Sequence, residues 1–149
     1  MITLLLVAFT LMAACVVLHA TGLAFAMRWL ERALPGIGPA YGQRLRLLIV
    51  VAALTVLVHL VEIAVWAGYY AASGALPDLD TALYFSAVTY TTTGYGDLVL
   101  PVRWRLVGGI EALTGILMCG WSTGFFFAVV SQILLRDAKS VEPVRISRG

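Results

Sequence analysis

Residues 91–97 of this 149-residue chain read Thr-Thr-Thr-Gly-Tyr-Gly-Asp and lie between two long apolar stretches. These side chains make no catalytic set, so the chemistry to look for is in their backbone. A small cation gives up its water shell only where other oxygens replace it, and rings of backbone carbonyls do this. Turning successive carbonyls one way asks alternate residues for angles unusual in L-amino acids, and Gly94 and Gly96 take them without steric cost. Tyr95 is then the bracing side chain between the glycines. A polar turn in a surface loop would tolerate the same run, but its apolar flanks favour an ion path.

Such a segment needs a membrane scaffold, and the composition provides one. The chain is 61% apolar and 12% charged, too apolar for an ordinary soluble domain. A spanning helix takes about 20 apolar residues, and the stretches 3–27, 47–72 and 106–135 qualify. The organisation expected is a first span with a basic loop (1–46), a pore-forming unit (47–135) and a short tail (136–149). There is no internal repeat or low-complexity segment. The pentapeptide Leu11-Met12-Ala13-Ala14-Cys15 has a faint look of a lipoprotein cleavage site. No basic residue precedes it and the apolar run continues beyond it, so the segment is read as a true span. Cys15 and Cys119 both fall inside spans and indicate no disulfide framework.

Basic residues give the orientation, because cytoplasmic flanks collect them. Arg28, Arg32, Arg44 and Arg46 precede the second span, and Arg136, Lys139, Arg145 and Arg148 follow the third. Three spans put both groups on one face, expected to be cytoplasmic, with the N-terminus outside. Asp78, Asp80 and Asp97 then face outward. Arg103 and Arg105 are exceptions, expected to snorkel beside Trp104 or to pair with an outer aspartate. Between the second and third spans, Pro77-Asp78-Leu79-Asp80 carries helix-start signals. A short helix over 80–90 follows. It cannot cross the bilayer and must re-enter, which is allowed only where protein or a water-filled cavity surrounds it.

The 92–97 run resembles the potassium channel signature Thr-X-Gly-Tyr-Gly-Asp, with Thr92, Thr93, Gly94, Tyr95, Gly96 and Asp97 in the six places. Thr93 stands where valine or isoleucine is usual. Residues 82–89, Ala-Leu-Tyr-Phe-Ser-Ala-Val-Thr, also look like a pore helix of that family, with Tyr84 and Phe85 in the aromatic positions behind the filter. From residue 47 to 135 the chain is similar to the bacterial two-helix pore domain, with one added helix at the N-terminal end. The resemblance implies an all-α membrane fold and a homotetramer of three further copies, embedded in lipid in the cell membrane, the bacterial inner membrane. K+ would pass, held by the carbonyls from Thr92 to Tyr95 and the Thr92 hydroxyl, with Asp97 at the outer mouth. No cofactor beyond the permeant ion is implied, and no nucleic acid partner. Some members pair the filter aspartate with a pore-helix glutamate; that position here is Val88, so Asp97 lacks that partner. Glu111, an acid within the third span, is a candidate support for the pore helix or filter, through groups such as Thr89 or Tyr90, or a protonated structural residue.

The third span is expected to line the inner pore, with Gly115 in the family's hinge place or else packing closely against a neighbour. Cys119, Thr123, Phe127 and Ser131 share one face at four-residue spacing and are expected to line the cavity. By the resemblance, Phe127 lies near where inner helices converge, where four phenylalanines would close the pore by dewetting; the alternative, and the more usual one for a Phe among Phe125, Phe126 and Phe127, is a lipid-facing or core side chain. The second span has His59 and Glu62 on one face, with Trp66 a turn on. No His, Cys or carboxylate cluster has ligand spacing along the chain, so a polar contact between the first two spans is expected, with proton sensing as the alternative. Neither of these spans contains Arg or Lys, which excludes a voltage sensor within them.

Competing classes make different demands. A weakly selective cation channel would pass sodium as well as potassium, and a non-conducting accessory subunit would assemble without ion flux. A proton-coupled or metal transporter would need His19, His59, Glu62 and Glu111 to converge. An enzyme is not expected, since there is no Ser-His-Asp arrangement, phosphate loop or metal-ligand spacing.

Overall fold

The computed structural model describes residues 1–36 and 40–141, with side chains through residue 135. The side chains of Arg136, Lys139, Arg145 and Arg148, on which part of the charge asymmetry rests, lie outside the described residues. The described part is all helical. Helix α1 spans Ile2–Ala33 and ends in a short 3-10 turn, Leu34–Gly36; α2 spans Tyr41–Ala72; α3 spans Leu79–Tyr90; and α4 spans Arg105–Val141 after a second 3-10 turn, Val102–Trp104. Three of these, α1, α2 and α4, are long and apolar enough to cross a membrane.

The basic loop expected over 28–46 is largely helical. Residues 28–33 are mostly good helix formers and carry α1 on until Pro35 and Gly36 end it. At 32 residues each, α1 and α2 are about 48 Å long, well beyond a hydrocarbon core of about 30 Å. Helix α3 has 12 residues and a length of about 18 Å, too short to cross. It starts at Leu79 because Asp78 is the cap: its carboxylate accepts from the Thr81 amide at 2.7 Å and from the Thr81 hydroxyl at 2.9 Å. Before α4, the Arg105 Nε donates to the Leu100 carbonyl at 3.3 Å, and the Arg103 guanidinium lies 5.1 Å from the centre of the Trp104 ring. Neither described contact is to an outer aspartate.

Helix α3 packs against α2 and α4, and α1 packs against the same two helices. The core divides into two apolar clusters. One surrounds α3 and includes Cys15, Trp66, Tyr70, Phe85, Tyr90, Trp104 and Met118. The other, at the opposite end of the bundle, includes Leu23, Leu30, Leu47, Val51, Phe125 and Val129. Buried polar residues lie between them: on α1, His19 separates Cys15 from Leu23, and on α4, Ser122 separates Met118 from Phe125. Gly22 makes the α1–α2 approach possible, since a Cβ there would come within 2.5 Å of Val58 Cγ2.

Candidate functional site

The segment after α3 begins by satisfying the helix end. The Thr91 amide donates to the Ala87 carbonyl at 3.2 Å, Thr92 to Thr89 at 2.9 Å and Gly94 to Val88 at 3.0 Å. The chain then alternates in handedness. Thr92, Gly94 and Gly96 have φ of 59°, 49° and 78°, whereas Thr93 and Tyr95 are not among the positive-φ residues. The glycines behave as expected from their type. Thr92 does not: a β-branched residue in the left-handed region is strained at a cost of about 1–3 kcal/mol, and nothing in its residue type announced it. Residues 91–97 are exposed on this single chain, Tyr95 at 72%. A cleft of about 270 Å3 opens beside them, lined in part by Phe85, Val88, Gly94, Tyr95 and Leu98.

Further contacts hold this segment and the helix it leaves. The Tyr84 hydroxyl donates to Asp97 Oδ2 at 2.6 Å. Asp97 lacks the glutamate partner, as expected from Val88, and is held instead by a phenol on α3. That bond holds the Asp97 carboxyl below the usual carboxylate range. The Thr93 hydroxyl lies 2.9 Å from that of Thr91, so the group that distinguishes Thr93 from valine is engaged locally. Fully buried Glu111 accepts from the Tyr70 hydroxyl at 2.8 Å and from the Ser86 hydroxyl, linking α4 to α2 and to the middle of α3. The expected partners Thr89 and Tyr90 are not the ones it uses, because Ser86 sits on the buried face of α3 against it. Finally, α4 presses on the end of α3 at Gly115, where a Cβ would lie 1.8 Å from the Tyr90 carbonyl oxygen. The close-packing demand on Gly115 is thus explicit, and α4 runs through it as one helix.

On the remainder of α4, Cys119, Thr123 and Phe127 are exposed, Phe127 at 75%, and Ser131 is half-buried. This face turns away from the chain's own core. The Thr123 hydroxyl donates to the Cys119 carbonyl at 2.9 Å. Cys15 and Cys119 are both free, the first buried and the second exposed.

The polar layer joins all four helices. His19 Nδ1 lies 3.1 Å from Glu62 Oε1, the contact between the first two spans that the sequence suggested. The Tyr90 hydroxyl donates to Glu62 Oε2 and lies 3.0 Å from His59 Nδ1. His59 Nε2 lies 2.9 Å from Ser122 Oγ, and the same oxygen is 3.1 Å from His19 Nε2. The His19 and His59 ring centres are 5.1 Å apart, and Trp121 packs 5.5 Å from His19. Glu111 stands in a separate group with Tyr70 and Ser86, so the four-residue convergence a coupled transporter would need is only three-quarters present. Tyr90 and Ser122 carried no signal in the sequence, because closing this ring depends on helix rotation and not on chain spacing.

Compared with known proteins, residues 47–132 match the family model described as ion channel. The match starts in α2 and ends in α4, taking in α3 and the exposed 91–97 segment and leaving α1 outside. No curated protein and no solved structure matches the chain.

Proposed function

This chain belongs to the ion channel family, and we propose that it is a potassium-selective pore subunit, a multi-pass membrane protein of which four copies surround one axis. The observation that carries the reading is the alternation of backbone handedness along 92–96. Reversing handedness at every second residue turns successive carbonyls to one side, the arrangement needed to replace a hydration shell. The proposed ion ligands are the carbonyls of Thr92, Thr93, Gly94 and Tyr95 and the Thr92 hydroxyl, with Gly96 completing the alternation and Asp97 at the outer mouth. The exposure of Tyr95 on a single chain fits a side chain that a neighbouring copy covers.

In this reading α3 is the pore helix, its carbonyl end directed toward the ion path, where its partial negative charge favours a cation. Glu111, Tyr70 and Ser86 clamp it to α2 and α4. The exposed face of Cys119, Thr123 and Phe127, continued by Ser131, lines the inner cavity. Phe127 is the proposed constriction and Gly115 the point above which α4 is tied to the filter. Residues 47–135 form the pore unit, α1 is peripheral, the N-terminus lies outside and the C-terminus is cytoplasmic.

The test is the reversal potential of the purified protein in a planar bilayer with potassium on one side and sodium on the other. A reversal near the potassium equilibrium value, lost in Gly94→Ala, is expected. A reversal near zero would mean a weakly selective pore, and tetramers without flux under any condition would mean an accessory subunit.

A further inference from the structure

We propose that His19, His59 and Glu62 form a binding site for a divalent transition-metal ion of the zinc class, which fastens α1 to the rest of the bundle. Their candidate ligand atoms all lie within 4.8 Å of one another. In a tetrahedral zinc site with bonds of about 2.0–2.1 Å, neighbouring ligand atoms are about 3.3 Å apart. Each imidazole already lies at about such an edge length from one carboxylate oxygen, 3.1 Å from His19 Nδ1 to Glu62 Oε1 and 3.4 Å from His59 Nδ1 to Glu62 Oε2, so a turn of the Glu62 carboxylate presents one oxygen to an ion held by both rings. Two imidazoles and a carboxylate are the donor types zinc takes where a fourth position stays open. The Tyr90 hydroxyl stands beside the three residues, in contact with both Glu62 and His59.

The hydrogen-bond arithmetic of the layer points the same way. Five contacts close the ring: His19 to Glu62, Glu62 to Tyr90, Tyr90 to His59, His59 to Ser122, and Ser122 to His19. With Glu62 ionised and both imidazoles neutral, Tyr90, Ser122, His19 and His59 supply one proton each, so one contact has none. The layer is short of one proton, and no Lys or Arg lies in the α1 or α2 sequence near it. A metal on the two Nδ1 atoms resolves this. Each Nε2 then carries its proton, and both Nε2 atoms lie within 3.1 Å of the Ser122 hydroxyl oxygen, whose two lone pairs accept them. Ligating imidazoles characteristically place their second nitrogen on such an acceptor. Glu62 gains the counter-charge that a fully buried carboxylate requires.

The experiment is titration of the purified full-length chain in detergent with Co2+, followed by displacement with Zn2+. Four-coordinate Co2+ reports itself by intense visible d–d absorption. The expected result is one Co2+ per chain with that spectrum, displaced by Zn2+, and Zn2+ affinity weakened on the order of a hundredfold in His19→Ala and Glu62→Gln. In Ser122→Ala, which leaves all three ligands in place, affinity falls roughly tenfold. Absence of the bands in the wild-type protein would overturn the proposal and leave a proton as the layer's missing cation. Retention of wild-type affinity in folded His19→Ala or Glu62→Gln would overturn it equally. The readout is binding and not current, so its failure leaves the conduction reading untouched.

Discussion

At the scale of single residues, Gly115, Glu111 and Asp97 hold α3 and the segment after it, each with its own test. A methyl group at Gly115 would have to enter the Tyr90 carbonyl, so Gly115→Ala forces α4 away from α3. The expected result is a loss of about 3 kcal/mol or more in thermal or denaturant unfolding, together with loss of current. Glu111 is shared by two buried hydroxyls. Glu111→Gln keeps an acceptor for one of them and is expected to assemble, whereas Glu111→Ala strands both and should cost about 3 kcal/mol more. Asp97 is held ionised by Tyr84. A carboxyl with a depressed pKa keeps its charge above the ordinary range and loses it only as pH falls through the depressed value. Current measured against external pH should therefore decline only below the usual aspartate range, and Tyr84→Phe should move that decline upward. Gly94 and Gly96 were legible from residue type alone; the strain at Thr92 and the Tyr84–Asp97 bond were not, since the bond joins residues 13 apart through a fold that only packing defines.

At the scale of elements, the sequence located all three spans and the short helix between the second and third, because length and apolarity decide what crosses a bilayer. Boundaries were less legible. Helix α1 runs to Ala33 past Arg28 and Arg32, since charged residues at the overhanging end of a long helix meet water and keep their helix propensity. Helix α3 starts at Leu79 because Asp78 caps it, and Asp78→Ala should lower the unfolding free energy by about 1 kcal/mol. His19, His59 and Glu62 were each visible as polar residues in apolar helices, but their closure with Tyr90 and Ser122 depends on how α1 and α4 are rotated. Gly22 bears on the first of these by admitting Val58 of α2 against α1.

At the scale of the whole molecule, apolar side chains such as Phe9, Val17, Leu57 and Leu60 on α1 and α2 are exposed, as a lipid-facing surface would be, and the 91–97 segment and the Cys119, Thr123 and Phe127 face are exposed as well. Copies arranged around an axis would cover the last two. Light scattering of the detergent-solubilised protein, corrected for bound detergent, should give the mass of four 16.0 kDa chains. A monomer or dimer mass would contradict the pore reading. The polar layer has a further consequence, for biogenesis. During synthesis His19 reaches the bilayer 43 residues ahead of Glu62, and an imidazole alone in hydrocarbon has no partner. Insertion of α1 and α2 together as a hairpin, with α4 adding Ser122 afterwards, would spare His19 that unpartnered stage.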